Sequence, residues 1–285
     1  MEKSSATFGG ILYIVATPIG NLQDISLRAI DTLKTVDSIL AEDTRHSLQL
    51  LNALGIQKPL LSLHAHNEQD KSNEIITALQ NGQSFALISD AGTPLISDPG
   101  FVLVRLARKS GIQVVPIPGA CALITALCAA GVPCDSFTFA GFLPAKEQAR
   151  KLKLLSFKTA ENTVIIYEST HRIIDCINDI IDVFGEHYQF VLAKELTKSF
   201  EHFMQATGSD IKEWLLAEKS RTKGEFVLIF PVQPVIETIS EDENILSVLL
   251  SELPLKQAVK LAQRLTKSSK NDLYAIALQL QKSSD

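Results

Sequence analysis

Short apolar runs alternate with amphipathic stretches along the first part of the chain. The apolar runs predict buried strands at residues 11–16, 36–41, 85–88 and 112–115. Leucine and isoleucine at helical spacing predict helices around residues 27–33, 48–54, 75–79 and 101–109. This alternation is typical of βαβ units and a mainly parallel sheet. Because such sheets bind ligands at the carboxyl ends of their strands, we expect the site in the loops after Ala16, Ala41, Ile88 and Pro116.

The second part of the chain changes to a pattern that ends in consecutive strands. It predicts strands at residues 137–142, 163–167, 190–193, 200–205 and 224–230, and helices at residues 145–157, 172–184 and 211–216. Consecutive strands indicate a mixed or antiparallel sheet. The predicted fold class is therefore α/β, with a parallel-sheet domain over residues 1–119 and a mixed-sheet domain over residues 120–232.

A proline-containing, acidic segment separates these two domains from a tail with three short helix patterns, at residues 245–253, 255–266 and 272–281. We assign residues 236–285 to a helical C-terminal extension. A helix-turn-helix reader of nucleic acid fits this pattern, and so does a small helical bundle. The pattern alone leaves both interpretations open.

Composition excludes several classes of protein. The chain has 285 residues, of which 46% are hydrophobic and 21% charged, which is enough apolar material for two domains and excludes global disorder. Residues 110–134 carry no charge, but Pro116, Pro118 and Gly119 interrupt them, so we expect a strand, a turn and a short buried helix. The polar N-terminus predicts no secretory signal, and the four cysteines lack metal or disulfide spacing, so we expect a cytoplasmic protein with free thiols.

The net charge of -5, with a pI of about 5.7, argues as a total against a nucleic-acid partner. The charge is unevenly distributed, however. The predicted helix after Pro144 holds five lysines and arginines (Lys146, Arg150, Lys151, Lys153 and Lys158) against one acid, Glu147. The tail from Pro254 holds six against Asp272 and Asp285, while residues 237–252 are acidic. The total therefore does not exclude RNA and indicates a localised basic footprint.

The common nucleotide and hydrolase fingerprints are absent from the sequence: there is no P-loop, no G-x-G-x-x-G after a strand and no G-x-S-x-G elbow. His64 and His66 form a pair without a clear third metal ligand, so a solvated loop pair is the favoured interpretation. Three loops rich in glycine and proline, residues 17–21, 89–100 and 117–122, follow predicted strands at one sheet edge. Such loops present backbone groups to a ligand or serve as structural turns.

Residues 15–26, with the sequence VATPIGNLQDIS, resemble the opening of the tetrapyrrole-methylase-fold methyltransferases. More narrowly, they resemble the branch that 2'-O-methylates a cytidine of small-subunit ribosomal RNA. The likeness continues in order through residues 41–45, 89–100, 118–122, 141–144, 167–172, 193–198 and 223–227. It covers nearly the whole chain.

The resemblance implies a class III methyltransferase fold that binds S-adenosyl-L-methionine between two domains, normally in a homodimer. Carried over by position, it implies cofactor contacts from ten residues: Pro18, Asp90, Gly92, Thr93, Leu95, Ile96, Cys121, Ala122, Tyr167 and Ala193. Methyl transfer from a sulfonium mainly requires alignment of donor and acceptor and no metal, so we expect none.

A ribose 2'-hydroxyl is a poor nucleophile, so a base that eases loss of its proton is expected. We assign Glu195 as this base and Lys194 as an electrostatic helper, with Glu168, Asp24 and Asp43 as further candidates.

The resemblance implies a cytidine in the decoding region of 16S rRNA as the target, free or within the assembled small ribosomal subunit. We assign RNA contacts to Arg45, Lys146, Arg150, Lys151, Arg172 and Lys198. Two alternatives are a methyltransferase of small tetrapyrroles and a DNA-binding regulatory protein that uses the tail as its reader.

Overall fold

The structure, a computed structural model, describes residues 9–232, 241–266 and 268–282. The chain divides into two compact units, Met1–Val232 and Gln233–Asp285. No helix within the described ranges is both long and apolar enough to cross a membrane.

The first sheet of the larger unit is entirely parallel, as the alternating pattern predicts. Its strands are β1 (Ile11–Val15), β2 (Ser38–Ala41), β3 (Leu60–Ser62), β4 (Phe85–Ile88) and β5 (Gln113–Ile117), in the order β3-β2-β4-β1-β5. The helices that follow these strands are α1 (Leu27–Thr35), α2 (Thr44–Ala53), α3 (Glu68–Gln80), α4 (Phe101–Lys109) and α5 (Ala122–Ala129). The edge strand β3 was not among the predicted strands, because three residues are too few to show a period.

Both faces of this sheet are covered by helices. Leu40 and Leu87 point to the face packed by α3 and α4, while the neighbouring Ile39 and Ala86 point to the face packed by α1 and α2. Successive side chains on a strand face opposite sides, so a strand covered on both faces is a continuous apolar run. This explains why β4 is apolar throughout.

The second sheet is mixed, also as predicted. Its strands are β6 (Phe137–Phe142), β7 (Thr163–Ser169), β8 (Gln189–Lys194), β9 (His202–Thr207) and β10 (Glu225–Phe230). They lie in the order β6-β7-β10-β8-β9, and only the β6–β7 pair is parallel among these five. The strand predicted at residues 200–205 begins two residues later, because Phe200 lies in the preceding loop with 78% of its surface exposed.

Helices cover both faces of the second sheet as well. One face packs against α6 (Glu147–Phe157), α7 (Ile173–Phe184) and α8 (Gly208–Ala217). The other face packs against α5, whose Leu123 and Leu127 contact the apolar face of β7, β8 and β10. The uncharged stretch is thus strand β5, a turn and the buried helix α5, as predicted. Because α5 follows β5 directly and packs on the second sheet, it fixes the two sheets relative to each other.

The smaller unit is a cluster of three helices, α9 (Glu241–Glu252), α10 (Leu255–Leu265) and α11 (Lys270–Lys282). Its core contains one residue of α9, two of α10 and two of α11: Leu246, Val259, Ala262, Leu273 and Ala277. The three predicted helix patterns of the tail are therefore all present.

Candidate active site at the cleft between the two sheets

A cavity of about 540 Å³ opens at the carboxyl ends of the parallel strands. Glu42 reaches it after β2, residues 90–93 and 96–98 after β4, and Cys121 and Ala122 after β5. Ile19, from the loop after β1, adds an apolar contact. The second sheet closes the other side with Phe142, residues 167–171 and residues 224–227. The site thus lies at the strand ends where the parallel-sheet pattern predicts it.

The loop after β4, residues 89–100, follows an unusual backbone path. Gly92 has a φ of 82° and pairs with Thr17 through two backbone hydrogen bonds of 2.8 and 3.1 Å. Leu95 and Ser97 have φ values of 72° and 71°, which residues with a side chain rarely adopt. Such backbone costs on the order of 1–3 kcal/mol per residue and is concentrated at functional sites. This strain favours the ligand-binding interpretation of the loop over that of a plain turn.

Glu68 of α3 holds the far end of this loop. Its Oε1 accepts hydrogen bonds from the backbone N–H groups of Gly100, Val102 and Leu103, at 3.1, 2.7 and 3.3 Å. The side chain is only 7% exposed and supplies the negative charge that a helix N-terminus favours, here that of α4. The strained loop is therefore clamped by a carboxylate distant in sequence.

Five carboxyl groups line the cleft, of which Glu168 and Glu225 form ion pairs with basic side chains. The other three, Glu42, Asp90 and Asp98, form no ion pair with a described residue and give the cleft a negative character. Burial, opposed by a hydrogen bond from Ser89 and assisted by the nearby charges of Glu42 and Asp90, raises the pKa of Asp98 to about 6. Burial and Asp90 also raise the pKa of Glu42. Carboxyl groups crowded in this way favour a cationic ligand, because its charge removes their mutual repulsion.

The opposite wall of the cleft is aromatic. Tyr167 on β7 packs edge-on against Phe139 and Phe142, with ring centroids 4.7 and 5.8 Å apart. Its phenolic oxygen accepts a hydrogen bond of 2.9 Å from the backbone N–H of Leu123. Burial raises the pKa of Tyr167 above its ordinary value, so the phenol stays protonated.

Most of the predicted cofactor residues converge on this cleft. Seven line it: Asp90, Gly92, Thr93, Ile96, Cys121, Ala122 and Tyr167. The other three do not. Pro18 lies between Thr17 and Ile19, Leu95 packs inward beneath Gly100, and Ala193 is fully buried within β8. Sequence reasoning missed Glu42 and Asp98, although both lie in segments that it singled out, residues 41–45 and 89–100.

The residues predicted to be catalytic lie elsewhere. Lys194 and Glu195, at the end of β8, line a second cavity of about 540 Å³ instead of the cleft. Burial alone would raise the pKa of Glu195, but hydrogen bonds from Lys198 Nζ at 2.9 Å and Glu225 N at 3.0 Å outweigh it and leave that pKa below its ordinary value. A carboxylate already accepting two hydrogen bonds is a weak base.

The remaining candidate bases either already accept hydrogen bonds from an arginine or do not line the cleft. Asp24 is exposed and does not line it, and Asp43 accepts hydrogen bonds from Arg45. Glu168 does line the cleft, but its carboxylate binds Arg172 through two hydrogen bonds of 2.8 and 2.9 Å.

Two of the predicted RNA contacts belong to an ion-pair network between α6 and α7, in which the Arg150–Asp179 pair is buried and the Lys151 pairs are partly exposed. Arg150 is 5% exposed and donates to Asp179 Oδ2 at 2.5 Å. Lys151 contacts Glu147 and Asp182, both at 2.8 Å, and Asp179 at 3.4 Å. Asp179 and Asp182 of α7 thus offset part of the positive excess that the sequence predicts for α6, and the burial of Arg150 argues against its contact with RNA.

The other predicted RNA contacts differ in availability. Arg172 is paired with Glu168, and Lys198 is paired with Glu195 and Glu225. Arg45 pairs with Asp43 at 3.1 Å, yet its side chain is 89% exposed. Lys146 is exposed and makes no ion pair with any described residue. Arg45 and Lys146 are therefore the most available of the six.

His64 and His66 lie in a loop with their rings edge-on, 5.9 Å apart. Within the described ranges, no group of three His, Cys, Asp or Glu side chains is placed to hold a metal ion.

Comparison with known proteins places this architecture in a family. The sequence matches the Tetrapyrrole (Corrin/Porphyrin) Methylases over residues 11–212. It is 53% identical over 273 residues to the Ribosomal RNA small subunit methyltransferase I of Haemophilus influenzae, covering 94% of this chain and 96% of that protein. The chain belongs to the ribosomal RNA small subunit methyltransferase I family. A relative of the same name from Pasteurella multocida is 51% identical, with 95% of this chain and 97% of that one covered.

A second family match bears on the smaller unit. Residues 237–281 match the RsmI C-terminal HTH domain, so both matched regions agree with the ribosomal RNA small subunit methyltransferase I family. Of the two interpretations left open by the helix pattern, this match favours the helix-turn-helix.

Solved structures share the fold of the ribosomal RNA small subunit methyltransferase I family at low sequence identity. A diphthine synthase superposes with a TM-score of 0.61 at 12% identity, covering 78% of this chain and 90% of that chain. A cobalt precorrin-4 methyltransferase superposes with a TM-score of 0.57 at 16% identity, covering 81% of this chain and 97% of that chain. At such identities the likeness shows the fold alone.

Proposed function

We propose that the cleft binds S-adenosyl-L-methionine and that the protein methylates the ribose 2'-hydroxyl of a cytidine in the decoding region of 16S rRNA. The observation that carries this proposal is the set of three crowded carboxyl groups at the strand ends, beside the strained loop and Tyr167. The names of relatives that match over almost the whole chain support ribosomal RNA as the substrate.

The residues of the cleft fit this cofactor in charge and shape. S-adenosyl-L-methionine supplies a methyl group already activated on a positively charged sulfur. Glu42, Asp90 and Asp98 would balance that charge and the charge of its ammonium group. Ile19, Ile96 and Val227 offer the apolar surface that a nucleobase requires.

Within this proposal, Asp98 is the proton acceptor. Its pKa of about 6 lies close to neutral pH, where a base is mostly ionised yet still basic enough to take a proton. The bound cofactor would supply its methyl group to the 2'-oxygen, with cleavage of its sulfur–methyl bond and release of neutral S-adenosyl-L-homocysteine. The Asp98 carboxylate would accept the hydroxyl proton and later release it to water. Tyr167 narrows the cleft and helps to exclude water from the reacting atoms.

We further propose that the protein acts as a homodimer on the assembled small ribosomal subunit. The exposed Arg45 and Lys146 are suited to contact phosphates of the RNA. Light scattering checks the dimer, and methylation of purified subunits against free rRNA checks the acceptor. Equal rates on both acceptors would contradict the preference for the subunit.

Two measurements test the function itself. Calorimetry should detect binding of S-adenosyl-L-methionine by the wild-type protein and a strong loss of it in Asp90→Asn, whereas Asp70→Asn, an exposed change on α3, should bind normally. Mass mapping of rRNA from a deletion strain should reveal one missing ribose methyl group, restored by the wild-type gene. If every ribose methyl group persists, the RNA assignment fails, and a small tetrapyrrole becomes the acceptor to test.

A further inference from the structure

Lys194 is a buried cation that forms no ion pair with any residue that the structure describes. Its side chain is 5% exposed, and no hydrogen bond or ion pair joins its Nζ to any described residue. Its Nζ lies over the ring of Phe226, 6.0 Å from the centroid. Burial of an unpaired charge is costly, so an anion that pairs with Lys194 would remove this cost.

This lysine faces the second cavity, which has three glutamates on its wall. Each of these is already engaged. Glu195 accepts from Lys198, Glu218 accepts from Arg221, and Glu201 accepts from the backbone N–H of Thr197 at 2.7 Å. None of these three carboxylates forms an ion pair with Lys194, although the charge of Lys194 contributes to lowering the pKa of Glu195. Its ammonium can therefore bind an anion that enters the cavity.

The remaining wall is aromatic. His202 stacks on Trp214 at 4.3 Å with an interplanar angle of 7°, and Arg221 lies 4.9 Å above the same indole ring. Burial, followed by the charges of Arg221 and Lys194, lowers the pKa of His202, so its ring is neutral near pH 7. Phe200 presents a ring that is 78% exposed at the same cavity.

The cavity adjoins the proposed active site. Gly224 lines both cavities, and a Cβ at this position would lie 2.5 Å from Cδ of Glu195. Gly224 therefore borders both sites, and its lack of a side chain leaves room for the carboxylate of Glu195. A polymer with its reacting nucleotide in the cleft has a short path into this second cavity.

We propose that the second cavity binds a backbone phosphate of single-stranded RNA through Lys194, with an adjacent base stacked on Phe200. A buried ammonium suits a phosphate oxygen, and exposed aromatic rings are the usual stacking surface for unpaired bases. This inference rests on the proposed function, because it assigns the cavity to the same RNA substrate.

The test compares Lys194→Met and Lys194→Arg with the wild-type protein. Loss of the buried charge should raise the melting temperature of Lys194→Met, because an unpaired buried charge destabilises the fold. RNA affinity should fall about tenfold, and the slope of log K against log salt should shrink by about 0.7, the value for one phosphate contact on a single strand. Lys194→Arg should retain most of the RNA affinity and most of the salt slope. Lys109→Met, which changes an exposed lysine of α4, serves as the matched control.

Trp214 gives a direct readout, because it is the chain's only tryptophan and lines this cavity. A single-stranded RNA with the target cytidine should change the fluorescence of Trp214 in the wild-type protein. The change should be smaller in Phe200→Ala and close to that of the wild type in Phe200→Tyr. Inorganic phosphate is titrated in parallel. A response to phosphate without any response to RNA would overturn the RNA assignment.

Binding of S-adenosyl-L-methionine distinguishes a failure of the RNA site at Lys194 from a failure of the proposed function. It should be unchanged in Lys194→Met. A lower melting temperature together with an unchanged salt slope would mean that Lys194 is structural, and the inference would fail while the cofactor site stands. If the wild-type protein binds RNA through Lys194 but no cofactor, the proposed function fails instead.

Discussion

The backbone N–H of Leu123 donates a hydrogen bond of 2.9 Å to the phenolic oxygen of Tyr167. Leu123 lies in the first turn of α5, which continues from the parallel sheet, and Tyr167 lies on β7 of the mixed sheet. The first N–H groups of a helix have no partner within the helix, so this bond satisfies one of them. One contact thereby joins the two sheets at the wall of the cleft.

Tyr167→Phe should weaken both the fold and the cofactor site. It leaves the N–H of Leu123 without its acceptor, which costs about 1–3 kcal/mol for a buried group. We expect a lower free energy of unfolding in urea and weaker binding of S-adenosyl-L-methionine by calorimetry. Tyr13→Phe is the control, since the hydroxyl of Tyr13 has no hydrogen bond to a described residue. Equal behaviour of the two variants would contradict the role of this contact.

Asp98→Asn should change the pH dependence of both stability and activity. Because the folded protein raises the pKa of Asp98 from 3.8 to about 6, it binds this proton more tightly than the unfolded chain does. The stabilisation from Asp98 is thus full below about pH 4 and is lost as the pH rises to about 6. Relative to wild type, the melting temperature of Asp98→Asn should therefore increase over that interval.

The same substitution tests the proposed base. In the wild-type protein, kcat/KM should rise with pH through about 6, as the carboxylate forms. Asp98→Asn should lower kcat on the order of 10²–10⁴-fold and abolish this rise. A variant that keeps the wild-type pH profile would exclude Asp98 as the proton acceptor.

Glu68→Ala should loosen the strained loop from a distance. The substitution removes the acceptor of three backbone N–H groups at the start of α4. Hydrogen bonds to a charged group each stabilise by about 1.5–3 kcal/mol, so we expect a loss of about that size or more in the free energy of unfolding. Glu74→Ala, on an exposed position of the same helix α3, should cost little. Cofactor affinity should fall in Glu68→Ala and not in Glu74→Ala.

Arg150→Met should destabilise the protein strongly, because it leaves Asp179 as a buried charge with only Lys151, 3.4 Å away, as a partner. Breaking a buried pair costs about 3–5 kcal/mol, whereas replacing both partners by apolar residues is often neutral. Chemical denaturation should therefore show that Arg150→Met/Asp179→Leu recovers much of the loss. The salt dependence of RNA binding should be the same in the double variant and the wild type. A smaller salt slope in the double variant would mean that Arg150 does contact RNA.

Much of the fold was predictable from local pattern. The apolar run of residues 85–88 and the alternation around it sufficed for a parallel sheet with its site at the strand ends, and the loop at residues 89–100 was recognisable by its glycines and prolines. These are properties of neighbouring residues, and neighbours in sequence are what a pattern records. Strand β3 was missed because it is short, although it follows the same rule.

The amino-acid sequence by itself therefore determined the order and type of the elements, the family and the edge of the sheet where the cleft lies. Only the tertiary structure decided which charges meet. The sequence predicts Arg150 to be a surface cation, but in the structure it is buried and paired with Asp179 of α7. The sequence likewise predicts Lys194 to face the cleft, but in the structure it lines the second cavity. The reason is physical: ion pairing, desolvation and pKa depend on distances between residues far apart in the chain, and no local pattern contains those distances.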